Sequence, residues 1–290
     1  MVINFFGLGL ASKGRCIQTS DKLSHMDKLR ASHRIMVMSG KGGVGKTTVA
    51  VNLALGLALY GRQVGLLDAD ITGPNVPKML RLEEEFLEPQ EDGSILPATL
   101  PVGPDRGLEV VSMAFLVEKD APITWRGPMK IEMLKQFVER VSWGELDYLV
   151  IDLPPGTSDE PITIAQLVEP DGVIIVTTPY DVALMDAEKA IDMVRAMDLP
   201  ILGIIENMSG FCCPDCGEKI NFKTGGGEKA ASRLNIPFLG RIEIDPKICQ
   251  AGDAGRPFVL DTSTSTARSF EAIVSKIVSY YEGQEEESQG

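Results

Sequence analysis

From about residue 34 onward, short runs of apolar and β-branched residues alternate with longer amphipathic stretches. The runs at 35–39, 64–68, 109–113, 148–153, 173–177, 201–206 and 238–241 have the length and composition of strands. The stretches at 46–60, 128–141, 161–168, 181–197, 226–234 and 266–281 carry helical spacing. Strands alternating with helices predict a parallel sheet covered on both faces. Two segments interrupt the pattern. Residues 82–107 are rich in proline, glycine and acid and predict a surface loop or short hairpin. Residues 209–227 carry a cysteine cluster between a strand and a helix. The expected organisation is an N-terminal arm over 1–33, one domain over 34–283 and an acidic, disordered tail over 284–290.

The first predicted strand runs into Gly40-Lys41-Gly42-Gly43-Val44-Gly45-Lys46-Thr47, which satisfies G-x-x-x-x-G-K-[ST] and opens the first predicted helix. Strand before and helix after are the context this phosphate loop requires. Its glycines let the backbone curl so that successive N–H groups face phosphate oxygens, and the helix N-terminus adds partial positive charge. Lys46 would reach the β- and γ-phosphates of ATP, Thr47 would ligate Mg²⁺, and Thr48 would add a hydroxyl. The expected fold is therefore α/β: a P-loop NTPase-type, mostly parallel sheet with helices on both faces, in a single domain. Lys41, read alone, is a solvated surface charge.

Carboxylates stand at other strand ends, where open α/β sheets bind ligands. Asp68-Ala69-Asp70 follows the second strand; Asp70 is placed either to orient a water or to cap a turn. Asp152 ends the strand before Pro154-Pro155-Gly156, the usual place of a magnesium-linked aspartate in P-loop enzymes. Asn207 ends the strand 201–206, and its amide has the geometry to pair with the adenine edge.

Charge and cysteines narrow the function classes. A net charge of −13 argues against a phosphate-backbone partner, and no apolar run approaches the ~20 residues of a membrane span. Five cysteines, three of them within 212–216, do not form a spread disulfide framework. A reduced, cytoplasmic compartment is expected, with the cluster bound to metal or redox work. Cys213-Pro214-Asp215-Cys216-Gly217 is a C-x-x-C knuckle that supplies two ligands. Zinc and a cubane cluster each take four, and two copies on a two-fold axis would provide them. Spacing does not separate zinc from iron–sulfur. Cys212 is a spare thiol beside the pair, Cys249 falls in a helical pattern, and Cys16 stands alone.

Taken together, SGKGGVGKTT (39–48), DADITGPNVP (68–77), WRGPM (125–129), WGELDYLVIDLPPGTSDE (143–160), VTTP (176–179), ENMSGF (206–211), CPDCG (213–217), GGGEK (225–229) and PFLGRI (237–242) resemble the Mrp/ApbC iron–sulfur cluster carrier ATPases of the deviant-Walker MinD/ParA group. The resemblance spans nearly everything from 34 to 280. It implies a homodimeric ATPase that holds a bridging [4Fe–4S] cluster on Cys213 and Cys216 of each copy and delivers it to apo iron–sulfur proteins. It implies that Lys41 crosses the dimer interface and that Lys46, Thr47 and Thr48 hold phosphates and Mg²⁺. In the same way it assigns Asp70 to the attacking water, Asp152 to the magnesium site and Asn207 to adenine. Pro237 and Phe238 match positions that often line the base pocket. A positioning ATPase of the MinD/ParA kind with a structural zinc knuckle is the alternative. It would need a basic membrane helix or DNA-binding surface, which an acidic C-terminus and acidic net charge oppose. A nitrogenase-type reductase would need a cysteine within 154–172, where there is none.

Overall fold

The computed structural model describes residues 31–71, 73–85, 87, 90–103, 106–116, 127–212, 218–220 and 222–289. Ten strands are found among them: β1 (Ala31–Met38), β2 (Val64–Asp68), β3 (Ala98–Gly103), β4 (Arg106–Ser112), β5 (Leu146–Asp152), β6 (Gly172–Thr177), β7 (Ile201–Glu206), β8 (Phe211–Cys212), β9 (Lys219–Ile220) and β10 (Phe238–Arg241). The helices are α1 (Lys46–Leu59), α2 (Val76–Leu80), α3 (Gly127–Arg140), α4 (Asp159–Val168), α5 (Asp181–Ala196), α6 (Gly226–Leu234), α7 (Pro246–Asp253) and α8 (Ser265–Gln289).

Eight strands form one sheet in the order β10-β7-β6-β1-β5-β2-β4-β3, with every neighbour pair parallel except β3 with β4. The central strands β2, β5, β6 and β7 are buried nearly throughout, as expected where helices cover both faces. The chain leaves β1 toward β2 on one side and later crosses to β6 on the other. The C-terminal end of β1 therefore lies at the reversal of strand order, where such sheets hold ligands.

Helix α1 is apolar almost all round, and that follows from where it lies. It packs on the sheet and is covered outside by α8 and the 3-10 turn Phe258–Leu260. Its one buried side-chain amide, Asn52, is bonded at both its nitrogen and its oxygen. Nδ2 donates to Thr48 O at 2.8 Å, and Oδ1 accepts from the Val259 N–H at 3.0 Å. This bridge ties the first turn of α1 to the C-terminal part of the chain.

The structure can be set against the sequence expectations at particular places. β1 begins at Ala31, because Ala31 and His33 still pair with Leu146 and Tyr148 of β5; residues 1–30 of the expected arm lie outside the described residues. Of the two readings of 82–107 the hairpin holds, with a wider extent: β3 pairs antiparallel with β4 and forms an edge of the main sheet. Short α2, after Asn75, was not predicted; five residues give too little periodicity to detect. The tail expected to be disordered continues α8 to Gln289. Glu and Gln are good helix formers, and the helix is held by Arg62–Glu282 and His33–Glu285 pairs and by His33 stacked on Tyr281 at 4.1 Å.

Both edges of the sheet have particular features. β3 carries Pro101. Beside β10, Lys276 from α8 donates to Phe238 O at 3.4 Å and Leu239 O at 2.8 Å. No helix among the described residues is long and apolar enough to cross a membrane.

Asn52→Ala would leave a buried N–H and a buried carbonyl without this partner. It is expected to lower the unfolding free energy by about 1–3 kcal/mol, read as a lower urea midpoint at unchanged slope. An unmoved midpoint would show that the bridge contributes nothing.

Candidate nucleotide site

The loop after β1 folds as its glycines require. Gly43 and Gly45 have φ of 78° and 86°, values that L side chains rarely adopt. At Gly45 a Cβ would also lie 2.1 Å from the Asn207 Nδ2 atom. At Gly40 the constraint is space alone: a Cβ would lie 2.1 Å from the Asp186 backbone of α5. The loop is thus wedged between α5 and the end of β7. Val44 is buried beneath it, and its carbonyl accepts from Asn207 Nδ2 at 2.9 Å.

Above the loop lies a cleft of about 850 Å³. Lys41, Gly42, Gly43 and Gly45 to Thr48 line one wall; Asp70, Pro154 and Pro155 line another, and Asn207 and Met208 a third. Its floor is charged. The Lys46 ammonium donates to Asp152 Oδ1 at 2.6 Å, and the Thr47 hydroxyl donates to Asp152 Oδ2 at 2.7 Å. Lys46 is 6% exposed and Asp152 is fully buried. The turn after Asp152 is tied back to the phosphate loop: Gly156 N–H donates to Ser39 O at 3.0 Å, and Ser39 Oγ donates to Lys41 O at 3.0 Å. Asp70 lines the cleft and also caps its own turn, accepting from the Gly73 N–H at 3.1 Å. Both readings of Asp70 from sequence are compatible with that placement.

Asp68 plays a larger part than its sequence position indicated. Parallel register sets it directly beside Asp152, and it is fully buried. It accepts from Ser112 Oγ at 2.9 Å and from the Asp70 N–H at 3.2 Å. Burial, then the Asp152 charge, pushes its carboxyl up to about 8. Burial also raises Asp152, but the Lys46 charge and the bonds from Lys46 and Thr47 oppose that rise. Two carboxylates side by side in a dry site do not both ionise readily. The proton belongs on Asp68, and Asp152 stays charged against Lys46.

Pro237 and Phe238 do not line the cleft. They stand at the start of β10, and the site lies beyond the strands' C-terminal ends. Phe238 instead lies under the Arg241 guanidinium, 5.7 Å from its ring centroid. The wall expected from them is made by Glu243, Ile244, Asp245 and Ile248, which follow the other end of β10. A sequence motif marks the strand; it does not say which of its ends faces the ligand. Cys213 and Cys216 lie outside the described residues. The flanking strands β8 and β9 pair antiparallel, Phe211 with Ile220 and Cys212 with Lys219, and so bring the two ends of 213–218 together.

Comparison with known proteins agrees with this architecture. Residues 30–278 match the family model described as the NUBPL iron-transfer P-loop NTPase. The chain belongs to that family. Among its relatives, the iron-sulfur cluster carrier protein of Methanocaldococcus jannaschii is 47% identical over 284 residues, covering 95% of this chain and 96% of its own. The cytosolic Fe-S cluster assembly factor NUBP2 homolog of Dictyostelium discoideum is 46% identical over 257 residues, covering 86% and 94%. A nucleotide-binding protein of Archaeoglobus fulgidus, solved in complex with ADP, superposes with a TM-score of 0.72 at 37% identity, covering 87% of this chain and 96% of that one. The cell division ATPase MinD of Pyrococcus furiosus shares the fold at 22% identity and a TM-score of 0.60.

A raised carboxyl fixes the sign of a pH effect. Between about 4 and about 8 the folded chain binds the Asp68 proton and the unfolded chain does not. The stability it contributes is full below that window and is lost as pH rises through it. In metal- and nucleotide-free protein, Asp68→Asn is expected to flatten the fall in stability between about pH 5 and about pH 8, measured by urea unfolding. An unaltered slope would place the proton elsewhere.

Proposed function

We propose that this protein is an ATP-hydrolysing iron–sulfur cluster carrier. In this reading it works as a homodimer in the cytoplasm, assembles a [4Fe–4S] cluster on Cys213 and Cys216 of both copies, and passes it to apo iron–sulfur proteins. The observation that carries the reading is a shared root. The insertion bearing the C-x-x-C knuckle leaves the end of β7 immediately after Asn207, which touches the phosphate loop. Nucleotide and thiolates are thus served by one strand end. Relatives at 44–47% identity carry the name of iron–sulfur cluster carrier, which supports the cargo over zinc.

The nucleotide chemistry assigned here follows from the floor of the cleft. Lys46, held by Asp152, is placed to move onto the β- and γ-phosphates. The residues fit Mg²⁺: the Thr47 hydroxyl is a hard oxygen donor, and Asp152 holds that hydroxyl and supplies negative charge. The ion would offset phosphate charge when bound. Asp70, on the wall facing the loop, orients the water. Thr48 and the loop N–H groups hold the phosphates, and Asn207 reads the base.

Two features support the dimer. A single knuckle leaves a four-thiolate cluster half-ligated. Beside the cleft, Tyr180, Val182 and Met185 of the α5 start are exposed. Ile220 and Phe222 of the cysteine insertion are exposed too, and the Lys223–Asp181 pair at 2.8 Å joins the two groups of side chains. Val182, Met185 and Phe222 are each more than 60% exposed; a rim of apolar side chains of this kind marks a protein contact. Lys41, on the cleft wall, would then reach the partner's nucleotide.

Anaerobic reconstitution with iron and sulfide is expected to give broad visible absorption and four irons per dimer, both lost in a Cys213→Ala/Cys216→Ala variant. Protein that retains only zinc under these conditions would sink the carrier reading. Lys41→Ala is expected to bind ATP yet hydrolyse it at least ~100-fold more slowly, the loss typical of one charge-stabilising donor. Unimpaired turnover in that variant would remove the shared nucleotide site.

A further inference from the structure

Next to Asn207 stands a buried carboxylate that the nucleotide chemistry does not use. Glu206 is the last residue of β7 and is fully buried. Its Oε1 accepts from the Ser209 hydroxyl and, at 2.8 Å, from the Gly225 N–H. Its Oε2 accepts from the Gly227 N–H. Ser209 opens the cysteine insertion, and Gly225 and Gly227 close it. One carboxylate therefore grips both ends of the segment that carries Cys213 and Cys216.

The grip is charge-assisted on every side. Gly225 is the N-cap of α6, so the carboxylate sits on that helix's positive end. The Arg241 guanidinium lies 3.8 Å away and is itself paired with Glu228. Hydrogen bonds to an ionised acceptor are the stronger kind. Closeness matters too: a Cβ at Gly227 would lie 3.0 Å from Oε2. The backbone reinforces the same root. Ser209 N–H donates to Ile242 O at 2.9 Å, Ile244 N–H donates to Gly210 O at 2.8 Å, and Ile242 N–H donates to Glu206 O at 2.9 Å. A carboxylate serving only as a helix cap would need the α6 bonds alone. The Ser209 bond adds the opposite end of the insertion.

We propose that Glu206 is the positioning residue of the cysteine insertion, clamping its described ends, Ser209 on one side and Gly225 with Gly227 on the other, so that the segment bearing Cys213 and Cys216 is anchored at one root. The proposal rests on the carrier reading above. Fixing the ends removes conformational freedom that cluster binding would otherwise have to remove. Groups that orient metal ligands without touching the metal typically change metal affinity by about 10–100-fold when replaced. Glu206→Gln keeps the shape but replaces one acceptor oxygen with an amide N–H group, which faces backbone donors it cannot accept from.

The test compares full-length wild type, Glu206→Gln and Ser209→Ala after anaerobic reconstitution. Iron and sulfide are quantified, the visible spectrum is recorded, and the rate of cluster loss to a ferrous-iron chelator is followed well below each unfolding midpoint. Val194→Ala, a core truncation in α5, is the control for lost stability alone. Glu206→Gln is expected to lose its cluster about tenfold faster than wild type, with Ser209→Ala intermediate and Val194→Ala unchanged. Equal loss rates in wild type and Glu206→Gln would overturn the positioning role and leave the carrier reading intact. If Glu206→Gln does not fold, Ser209→Ala decides: faster loss supports the clamp and unchanged loss overturns it. A faster loss in Val194→Ala matching that in Glu206→Gln would reduce the effect to stability and overturn the proposal. Wild type that takes up no cluster would overturn the carrier reading and, with it, this role of Glu206.

Discussion

A lysine and an aspartate, both withdrawn from water at the floor of the sheet's C-terminal end, govern the rest of the molecule. Lys46 and Asp152 form an ion pair whose members are almost wholly buried. Such a pair is weak evidence for stability, because removing two charges from water costs several kcal/mol per ion. It is retained where charge is needed for a ligand. Once the ammonium must stand there, much follows. Asp152 must remain ionised, so its neighbour Asp68 takes the proton. The Thr47 hydroxyl must face the same carboxylate. The loop that delivers Lys46 must curl through two left-handed glycines and press against Asn207. The left-handed glycines of the loop and the low-dielectric floor are consequences of one buried cation.

Much of this was legible in the sequence. Fully buried parallel strands read as continuous apolar runs, and β2, β7, β10 and α6 emerged with their predicted bounds. The glycines of the loop and Lys46 are legible because their spacing has one geometric use. What stayed hidden depended on which way a strand end faces and on what lies far away in sequence. Pro237 and Phe238 belong to a correctly placed strand, yet they occupy its wrong end, and the cleft wall comes from Glu243 to Ile248. Asp68 and Asp70 look equivalent in Asp68-Ala69-Asp70. Only the register of β2 with β5 sets the first against Asp152 and the second on the cleft wall. Glu206 was legible only as the first residue of the segment 206–211; its role was not, since two of its partners, Gly225 and Gly227, lie about twenty residues further on and no local pattern links them.

The two ends of the β7 strand exit therefore have different characters. Asn207 turns toward the phosphate loop, and Glu206 turns toward the base of the cysteine insertion. Adjacent residues of an extended chain point to opposite sides, so a single strand terminus addresses both regions without a connecting loop between them. Any displacement of that terminus would be felt at both places. The backbone bonds from Ile242 and Ile244 add a third party, because the segment after β10 both lines the cleft and pairs with the root of the insertion.

The sheet's borders set a further condition on how the chain associates. An open sheet exposes a row of unpaired backbone groups at each edge and invites strands from other chains. Here β3 places a proline, which has no N–H to offer, on one border. On the other, β10 is only four residues long, and Lys276 occupies the carbonyls of Phe238 and Leu239. Neither border is suited to templating a neighbour's strand. Growth into fibres or ribbons through either border is discouraged. For a chain that would carry a reactive metal cargo, that is a form of quality control written into the margins of the sheet.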